Sequence, residues 1–530
     1  KLKQCFRKTC GVLAAFLFIA SISGCQALPK PEPGSVFESR QAQWKNRGKP
    51  DKQEGGSKTS KQESESKAGK QGIEPKAEKK AEDKTEKELS DQSALENGHK
   101  VEKGDLPSRY DARTDGRTAP VKNQGDLGTC WAFASLLALE SSLLPGESYD
   151  FSEDHMSHDP YFLLDQKSGG DYIMSMAYLL SWRGPVLEEE DPYGDGISPE
   201  GLKAVCHVQE IQILPEYDRD AIKEAVYRTG GVQSALYTTL QGQTQDSRYY
   251  KKENGAYYYS GTQQPNHDVV IVGWDDDYPA ENFTTLPPEN GAFLCENSWG
   301  TGFGKDGFFY VSYYDTNLGA TNLVYSGVEP TDNYDEIYQS DLCGWLGQIG
   351  YGGETIWAAN VYQATASEQE SQESGNAQKD SKSGNGQKKQ TAGKTQKVQA
   401  AGFYAVGQNT EYEISILKNV PEHPSDADWR ALKRQKLGTT NGSVSYAGYY
   451  TIPLAEPVEL EPGERFAVLV ELKTPGAVHP MAIEYDSQDG RCRVDLTDGE
   501  GYISADGDLW ESAEEQQDCN LCLKAYTAWE

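Results

Sequence analysis

The 530-residue sequence predicts an α+β domain, made of a helical half followed by an antiparallel β half, and behind it an all-β sandwich domain. Three observations predict this. A long apolar helix pattern begins at Cys130, strand patterns parted by Gly and Asp turns follow after Val232, and beyond about Asp332 only short strand patterns occur.

The elements follow in chain order. Lys1, Lys3, Arg7 and Lys8 precede an apolar run from Val12 to Ile22 that ends in Ile22-Ser23-Gly24-Cys25. A basic start followed by an apolar run of this length reads as a secretory signal, too short to span a bilayer stably. Small residues before a cysteine resemble a bacterial lipobox, so residues 1–24 are assigned as a lipoprotein signal peptide and Cys25 as the lipidated residue. That implies an exported protein, lipid-anchored on the outer face of the bacterial cell membrane. Residues 25–104 are rich in Lys, Glu, Ser, Gln and Gly and poor in apolar side chains, the composition of a disordered charged linker. Such a chain spans on the order of 50 Å.

The first globular domain is placed at 105–330. Cys130 to Leu144 carries apolar residues all round and stops at Pro145-Gly146, as a buried helix would. Ser175 to Trp182 and Asp220 to Thr229 read as two further helices. Val269 to Trp274, Phe293 to Asn297 and Phe308 to Tyr313 read as strands. The second domain is placed at 331–530, with strands at Trp357 to Tyr362, Ala400 to Tyr404, Tyr412 to Leu417, Tyr449 to Pro453, Phe466 to Leu472 and Met481 to Tyr485. A return of the linker composition at 365–398 reads as a disordered insertion.

A net charge of −31 argues against a nucleic-acid partner, because phosphate binding needs clustered Lys and Arg. Of ten cysteines, Cys5, Cys10 and Cys25 belong to the export segment. The seven that remain are odd in number, so one thiol stays unpaired unless another chain supplies a partner. Cys130 is the candidate. Cys519 and Cys522 have the spacing of half a zinc site, but no second pair stands at the right distance, so no metal is assigned.

The chemistry concentrates in Pro120-Val-Lys-Asn-Gln124-Gly-Asp-Leu-Gly-Thr-Cys130-Trp-Ala-Phe133. A cysteine in the first turn of a buried helix sees the positive end of the macrodipole, which favours thiolate. A Gln side chain beside the Cys backbone N–H can donate to an oxyanion. Gln124 precedes Cys130 by six positions, and the segment resembles the active-site segment of papain-like (C1) cysteine peptidases. His267 opens the apolar run Val269 to Trp274 and lies 137 residues after Cys130, within the range the resemblance implies. His155, His158 and His207 lack a strand setting. Asn297-Ser-Trp-Gly300 is similar to the motif of the family's Asn.

The resemblance therefore implies a Cys130, His267, Asn297 triad, a Gln124 oxyanion hole, and no cofactor. Asn297 lies 167 residues after Cys130, farther than the family range. An antiparallel hairpin in which His267 faces Asn297 and Gly273 faces Gly291 would absorb the excess as a long loop at 274–290. Trp299 is expected to shield the His–Asn bond from water. Gly169 and Gly170 resemble the glycine pair that lets substrate backbone approach the cleft. Leu127 and Thr129 depart from the family's Cys and Ser before the nucleophile, and Asn266 stands where several relatives carry Asp. No inhibitory pro-segment is recognisable in 29–104, so activation is expected without propeptide removal.

Tyr334 to Tyr338, Gly344-Trp345, Trp357-Ala-Ala-Asn360 and Ala447-Gly-Tyr449-Tyr450 resemble the lectin-like domain that follows C1 peptidase domains in some bacterial surface proteins. The name implies a cell-wall or host glycan partner, while the aromatics of a sandwich read first as core. The expected function is a cysteine-type peptidase acting on protein or peptide substrates at the bacterial cell surface. Its rival is a catalytically silent adhesin or wall-binding protein, against which the intact set of four residues argues.

Overall fold

The computed structural model describes residues 106–240, 247–365 and 394–530. The signal segment, the linker, Cys25 and most of the 365–398 segment lie outside the described residues.

Helix α1 (Cys130–Leu143) is buried from Cys130 to Ser141, as its apolar circumference demands. Short α2 (Glu153–Ser157), α3 (Tyr172–Leu180) and α4 (Arg219–Arg228) are capped by Ser152, Asp171 and Asp218, each accepting from a first-turn N–H. The strands of this region are β1 (Arg109–Asp111), β2 (His207–Ile213), β3 (Val232–Leu236), β4 (Tyr250–Lys251), β5 (Ala256–Tyr257), β6 (His267–Asp275), β7 (Ala292–Glu296), β8 (Phe308–Ser312) and β9 (Asn322–Glu329). A helical half and a largely antiparallel β half result, with α1 packed on β6 and β9.

The second region contributes β10 (Glu336–Tyr338), β11 (Gly347–Ile349), β12 (Thr355–Gln363), β13 (Gln396–Ala405), β14 (Thr410–Lys418), β15 (Leu437–Val444), β16 (Ala447–Leu460) and β17 (Arg465–Lys473). After these come β18 (Met481–Glu484), β19 (Gly501–Ser504), β20 (Glu511–Ser512), β21 (Asn520–Leu521) and β22 (Leu523–Trp529). A six-stranded sheet, β15-β14-β17-β12-β19-β20, faces the layer β10-β22-β13-β16 across an apolar core that includes Ile356, Phe403, Ile414, Val468 and Ile503.

Two expectations change here. The region is not strands alone, since helices Asp426–Leu432 and Ala513–Gln517 stand among them, each begun by a serine cap that their polar surroundings hide as a turn. Residues 396–398 are not insertion but the start of β13, paired with β16 and β22. Their polar composition hides an alternation: Gln396 and Val398 point inward and are buried, while Lys397 points outward to Glu459 and Glu530.

The two regions share one sheet. The strand order β10-β22-β13-β16-β2-β9-β3-β6-β7-β8-β5-β4 crosses between them where Ala447–Tyr450 of β16 pair with Glu210–Ile213 of β2. Gly448 permits this approach: its φ is 137°, and a Cβ there would sit 2.1 Å from the Ile211 carbonyl oxygen. A second seam lies at 491–493, where Leu163 N–H donates to Arg491 O and Arg493 N–H to Tyr161 O, both at 2.8 Å. Beside it Arg491 Nη1 pairs with Asp171 Oδ2 at 2.5 Å.

Replacing Gly448 by Val should lower the free energy of unfolding by about 2 kcal/mol or more. The fall should appear in the first urea transition of the chain; an unchanged midpoint would show that the joint tolerates a displaced strand.

Candidate active site

Cys130 is the first residue of α1 and is buried, so its sulfur sits at the positive end of a helix of 14 residues. Its N-cap Thr129 makes no side-chain cap; the hydroxyl instead shares a 2.6 Å hydrogen bond with Tyr193 Oη. Tyr193 Oη also donates to the Gln124 carbonyl at 2.9 Å. Thr129 thus has a local partner in place of the chemistry the family shows at this point.

The Gln124 amide is held at both ends. Its Oε1 accepts from Ser298 Oγ at 2.6 Å, its Nε2 donates to Leu127 O at 2.7 Å, and its backbone N–H donates to Ser298 O at 2.8 Å. A carboxamide nitrogen carries two hydrogens, so one N–H remains beyond the Leu127 bond. Asn123 bridges Trp299, and Gly300 N–H donates to Lys122 O at 2.9 Å, which binds this loop to the Asn297 loop.

His267 Nε2 lies 2.8 Å from Asn297 Oδ1, with both residues buried. An amide oxygen only accepts, so Nε2 carries the proton and Nδ1 is the basic nitrogen of the neutral ring. Asn297 Oδ1 also accepts from the Ser298 N–H at 2.8 Å, which fixes the amide orientation. The Trp299 ring stacks on His267 at 4.5 Å and 25°, covering the pair.

The hairpin that brings them together differs in register from the expectation. Ile271 faces Cys295, and Gly273 faces Leu294 rather than Gly291, with a bulge at Val272. Gly273 has no room for a side chain, since a Cβ would lie 2.4 Å from the Tyr110 carbonyl oxygen of β1. The ladder ends at Val270 and Glu296, so His267 and Asn297 meet beyond its last pair, where the bulge does not separate them. The connecting loop is 276–291 and contains a 3-10 turn at Ala280–Asn282.

Gly169 and Gly170 are buried beside helix α1. Gly169 has φ +87°, and a Cβ on Gly170 would come within 2.4 Å of Trp131 Nε1. A cavity of about 330 Å³ is lined by residues that include Leu127, His158, Phe162, Leu164, Gln166 and Lys167. Of the histidines set aside, His155 Nδ1 bonds Tyr178 Oη at 2.7 Å. His207, contrary to expectation, opens a strand, β2, and stacks on Trp182 at 3.7 Å.

Sequence reasoning missed three supports: Tyr193, Ser298 and the Lys122 cluster. Lys122 Nζ reaches Glu140 of α1 at 2.9 Å, Glu153 of α2 at 3.0 Å and Asp150 at 2.8 Å. Ser298 stood inside a quoted motif; Tyr193 and Lys122 carried no pattern of their own. Glu296, next to Asn297, is buried with Oε1 unpartnered among the described residues. Burial first, then the charge of Glu140, pushes its carboxyl up to about 8.

A thiol at a helix start, an imidazole bonded to an amide oxygen, and a tethered glutamine stand on the two halves of a fold of papain-like design. The chain contains a papain-family cysteine protease domain followed by a lectin-like domain. The "Papain family cysteine protease" family model matches residues 106–328, and the "Lectin like domain" model matches 337–372 and 375–527. Chicken (Gallus gallus) cathepsin K is 32% identical over 217 residues, 39% of this chain and 59% of that protein. Zingipain-2 of Zingiber officinale is 27% identical over 209 residues, 38% of this chain and 86% of its own length. The clostridial cysteine protease Cwp84, solved after propeptide cleavage, aligns with a TM-score of 0.65 at 26% identity, over 80% of this chain and all of that one. The cysteine protease and lectin-like domains of Cwp84, described as a surface layer associated protein of Clostridium difficile, give a TM-score of 0.63 at 26% identity, over 82% and 90%.

Glu296 sets a pH dependence of stability. Its proton is held more tightly in the folded chain than at the ordinary 4.5, so folded protein binds more protons across the window from about 4.5 to about 8. The contribution is complete below the lower value and is lost as pH rises through the upper one. Glu296→Gln should therefore match the parent at pH 4.5 and exceed it by more than about 1 kcal/mol at pH 8.5 in urea unfolding; equal pH slopes for the two proteins would refute this.

Proposed function

We propose that the chain hydrolyses peptide bonds at the bacterial cell surface, with Cys130 as nucleophile, His267 as acid and base, Asn297 as the residue that orients it, and Gln124 as oxyanion donor. The observation that carries the reading is the 2.8 Å bond from His267 Nε2 to Asn297 Oδ1, because it leaves Nδ1 to exchange a proton with the thiol.

The Cys130 thiolate attacks the scissile carbonyl carbon, and the carbonyl oxygen takes the charge. The Gln124 Nε2–H and the Cys130 N–H stabilise that oxyanion. His267, protonated at Nδ1 by the thiol, gives the proton to the departing amine as the C–N bond breaks and a thioester remains. Water, deprotonated by His267, attacks the thioester; the acid leaves and Cys130 is restored. Trp299 keeps bulk water off the His–Asn bond, and Gly169 and Gly170 offer substrate backbone an approach without side chains. No cofactor is needed for these steps. Lipidation at Cys25 would hold the enzyme on the outer face of the membrane, and the lectin-like domain would engage a cell-wall or host glycan. The surface association of Cwp84 supports the location.

The test is hydrolysis of a mixed peptide library at pH 5 to 8 by reduced residues 105–530. Cys130→Ala should abolish cleavage, and Gln124→Ala should lower kcat/KM by about 100- to 1000-fold. Cleavage that survives Cys130→Ala, or no cleavage by a folded parent, would end the proposal and favour a glycan-binding adhesin.

A further inference from the structure

Segment 188–198 carries Tyr193, the residue that joins the Gln124 carbonyl to the Thr129 hydroxyl. Its far end has little apolar anchoring, since Gly194, Asp195, Gly196 and Ile197 are exposed. Two acids flank Tyr193 within this segment, and both reach one place. Carboxylate oxygens of Asp154 in α2, Asp191 and Asp195 lie within 4.8 Å of one another.

Some buried acids come with a cation of their own, Lys122 among Glu140 and Glu153 and Lys524 on Asp341, whereas others such as Glu296 and Asp315 pair with none among the described residues. Here, among the described residues, no lysine or arginine pairs with any of the three. Asp154 and Asp191 are both 0% exposed. Their hydrogen bonds come from neutral donors: Gln166 Nε2 to Asp154 Oδ1 at 2.6 Å, Gly194 N–H to Asp154 Oδ2 at 3.1 Å, and Ser198 Oγ to Asp191 Oδ2 at 2.5 Å. Asp195 Oδ1 accepts from the Ile197 N–H at 3.0 Å. The remaining Asp191 oxygen, Oδ1, is buried and has no partner. A desolvated carboxylate oxygen with an empty lone pair direction, beside two more carboxylates, is a place where a positive charge would be strongly favoured.

We propose that Asp154, Asp191 and Asp195 bind a calcium ion, which clamps segment 188–198 to α2 and so holds Tyr193 against the Gln124 loop. All three ligands are hard oxygens, which select a hard cation. Calcium accepts irregular oxygen ligation at about 2.3–2.6 Å, as carboxylates from a loop and a short helix would offer, whereas magnesium demands near-ideal octahedral geometry at about 2.1 Å and gives up its water reluctantly. Water completes the coordination. Binding is independent of peptidase chemistry; only the consequence for turnover rests on the function proposed above.

The test takes the full chain, strips it with EGTA, and titrates it with calcium chloride while following thermal unfolding. The parent should gain about 3 °C or more in midpoint at saturating calcium, magnesium should give less than half of that, and Asp191→Asn and Asp195→Asn should gain none. Asp195 is exposed, so its variant folds whatever the cost at Asp191. No gain in the parent, or an equal gain in both variants from ions held elsewhere, overturns the site. Calcium should also raise kcat in the parent and leave it unchanged in Tyr193→Phe, a variant that keeps the calcium-dependent midpoint. A calcium effect on kcat that persists in Tyr193→Phe overturns the clamp, and an inactive parent that still gains stability would fault the peptidase reading rather than the site.

Discussion

The Lys122 ammonium is the interaction on which the geometry of the candidate site depends. Burial alone would lower its pKa, yet Glu153 and Glu140 outweigh the lost hydration and the group stays charged. The same lysine, in return, opposes the burial that pushes the Glu140 and Glu153 carboxyls up. Breaking such a buried group leaves uncompensated charge, at a cost of about 3–5 kcal/mol. What it ties together explains its weight: the loop carrying Gln124, the helix that begins at Cys130, and α2. Through its own carbonyl and Gly300, it also reaches the loop that carries Asn297 and Trp299.

The second constraint acts from outside the peptidase domain. The lectin-like domain grips both halves of the fold, continuing the β half through β16 and β2 and meeting the helical half at Arg491 and Asp171. Asp171 caps α3 immediately after Gly169 and Gly170. One domain therefore contacts both halves, and the glycine pair is positioned partly by residues more than three hundred positions away.

How much of this was legible follows from how local each signal is. Helix α1 and strands β6, β7, β12 and β17 announce themselves by apolar runs and turn residues, so periodicity finds them. Gln124, Cys130, His267 and Asn297 sit inside short motifs, which is what makes them candidates from sequence alone. The hairpin register was not, because a bulge adds one residue that leaves no mark except Gly273, and a glycine in a strand has several meanings. Gln396 to Val398 were lost to composition, since two inward residues around one lysine do not form a recognisable period. Asp154, Asp191 and Asp195 meet only in the folded chain, and no spacing unites them.

The aromatic doublets show what a shared sheet asks of a sequence. Neighbouring residues of a strand face opposite ways, and on β13 and β16 both ways are buried. Tyr404 and Tyr449, opposite each other with rings 4.8 Å apart, join the apolar core of the peptidase domain. Phe403 and Tyr450, opposite each other in the same ladder, join the core of the sandwich. Phe403-Tyr404 and Tyr449-Tyr450 are therefore aromatic twice over because these strands separate two interiors. Tyr449 Oη and Tyr526 Oη, 2.6 Å apart, satisfy each other within the buried layer. Trp357, a half-buried ring of the quoted motifs, is flanked by Lys433 and Lys436 at 4.7 Å. Tyr404, Tyr449 and Tyr450 thus serve the seam between domains, and that seam is what lets a lectin-like fold act as the frame of a peptidase.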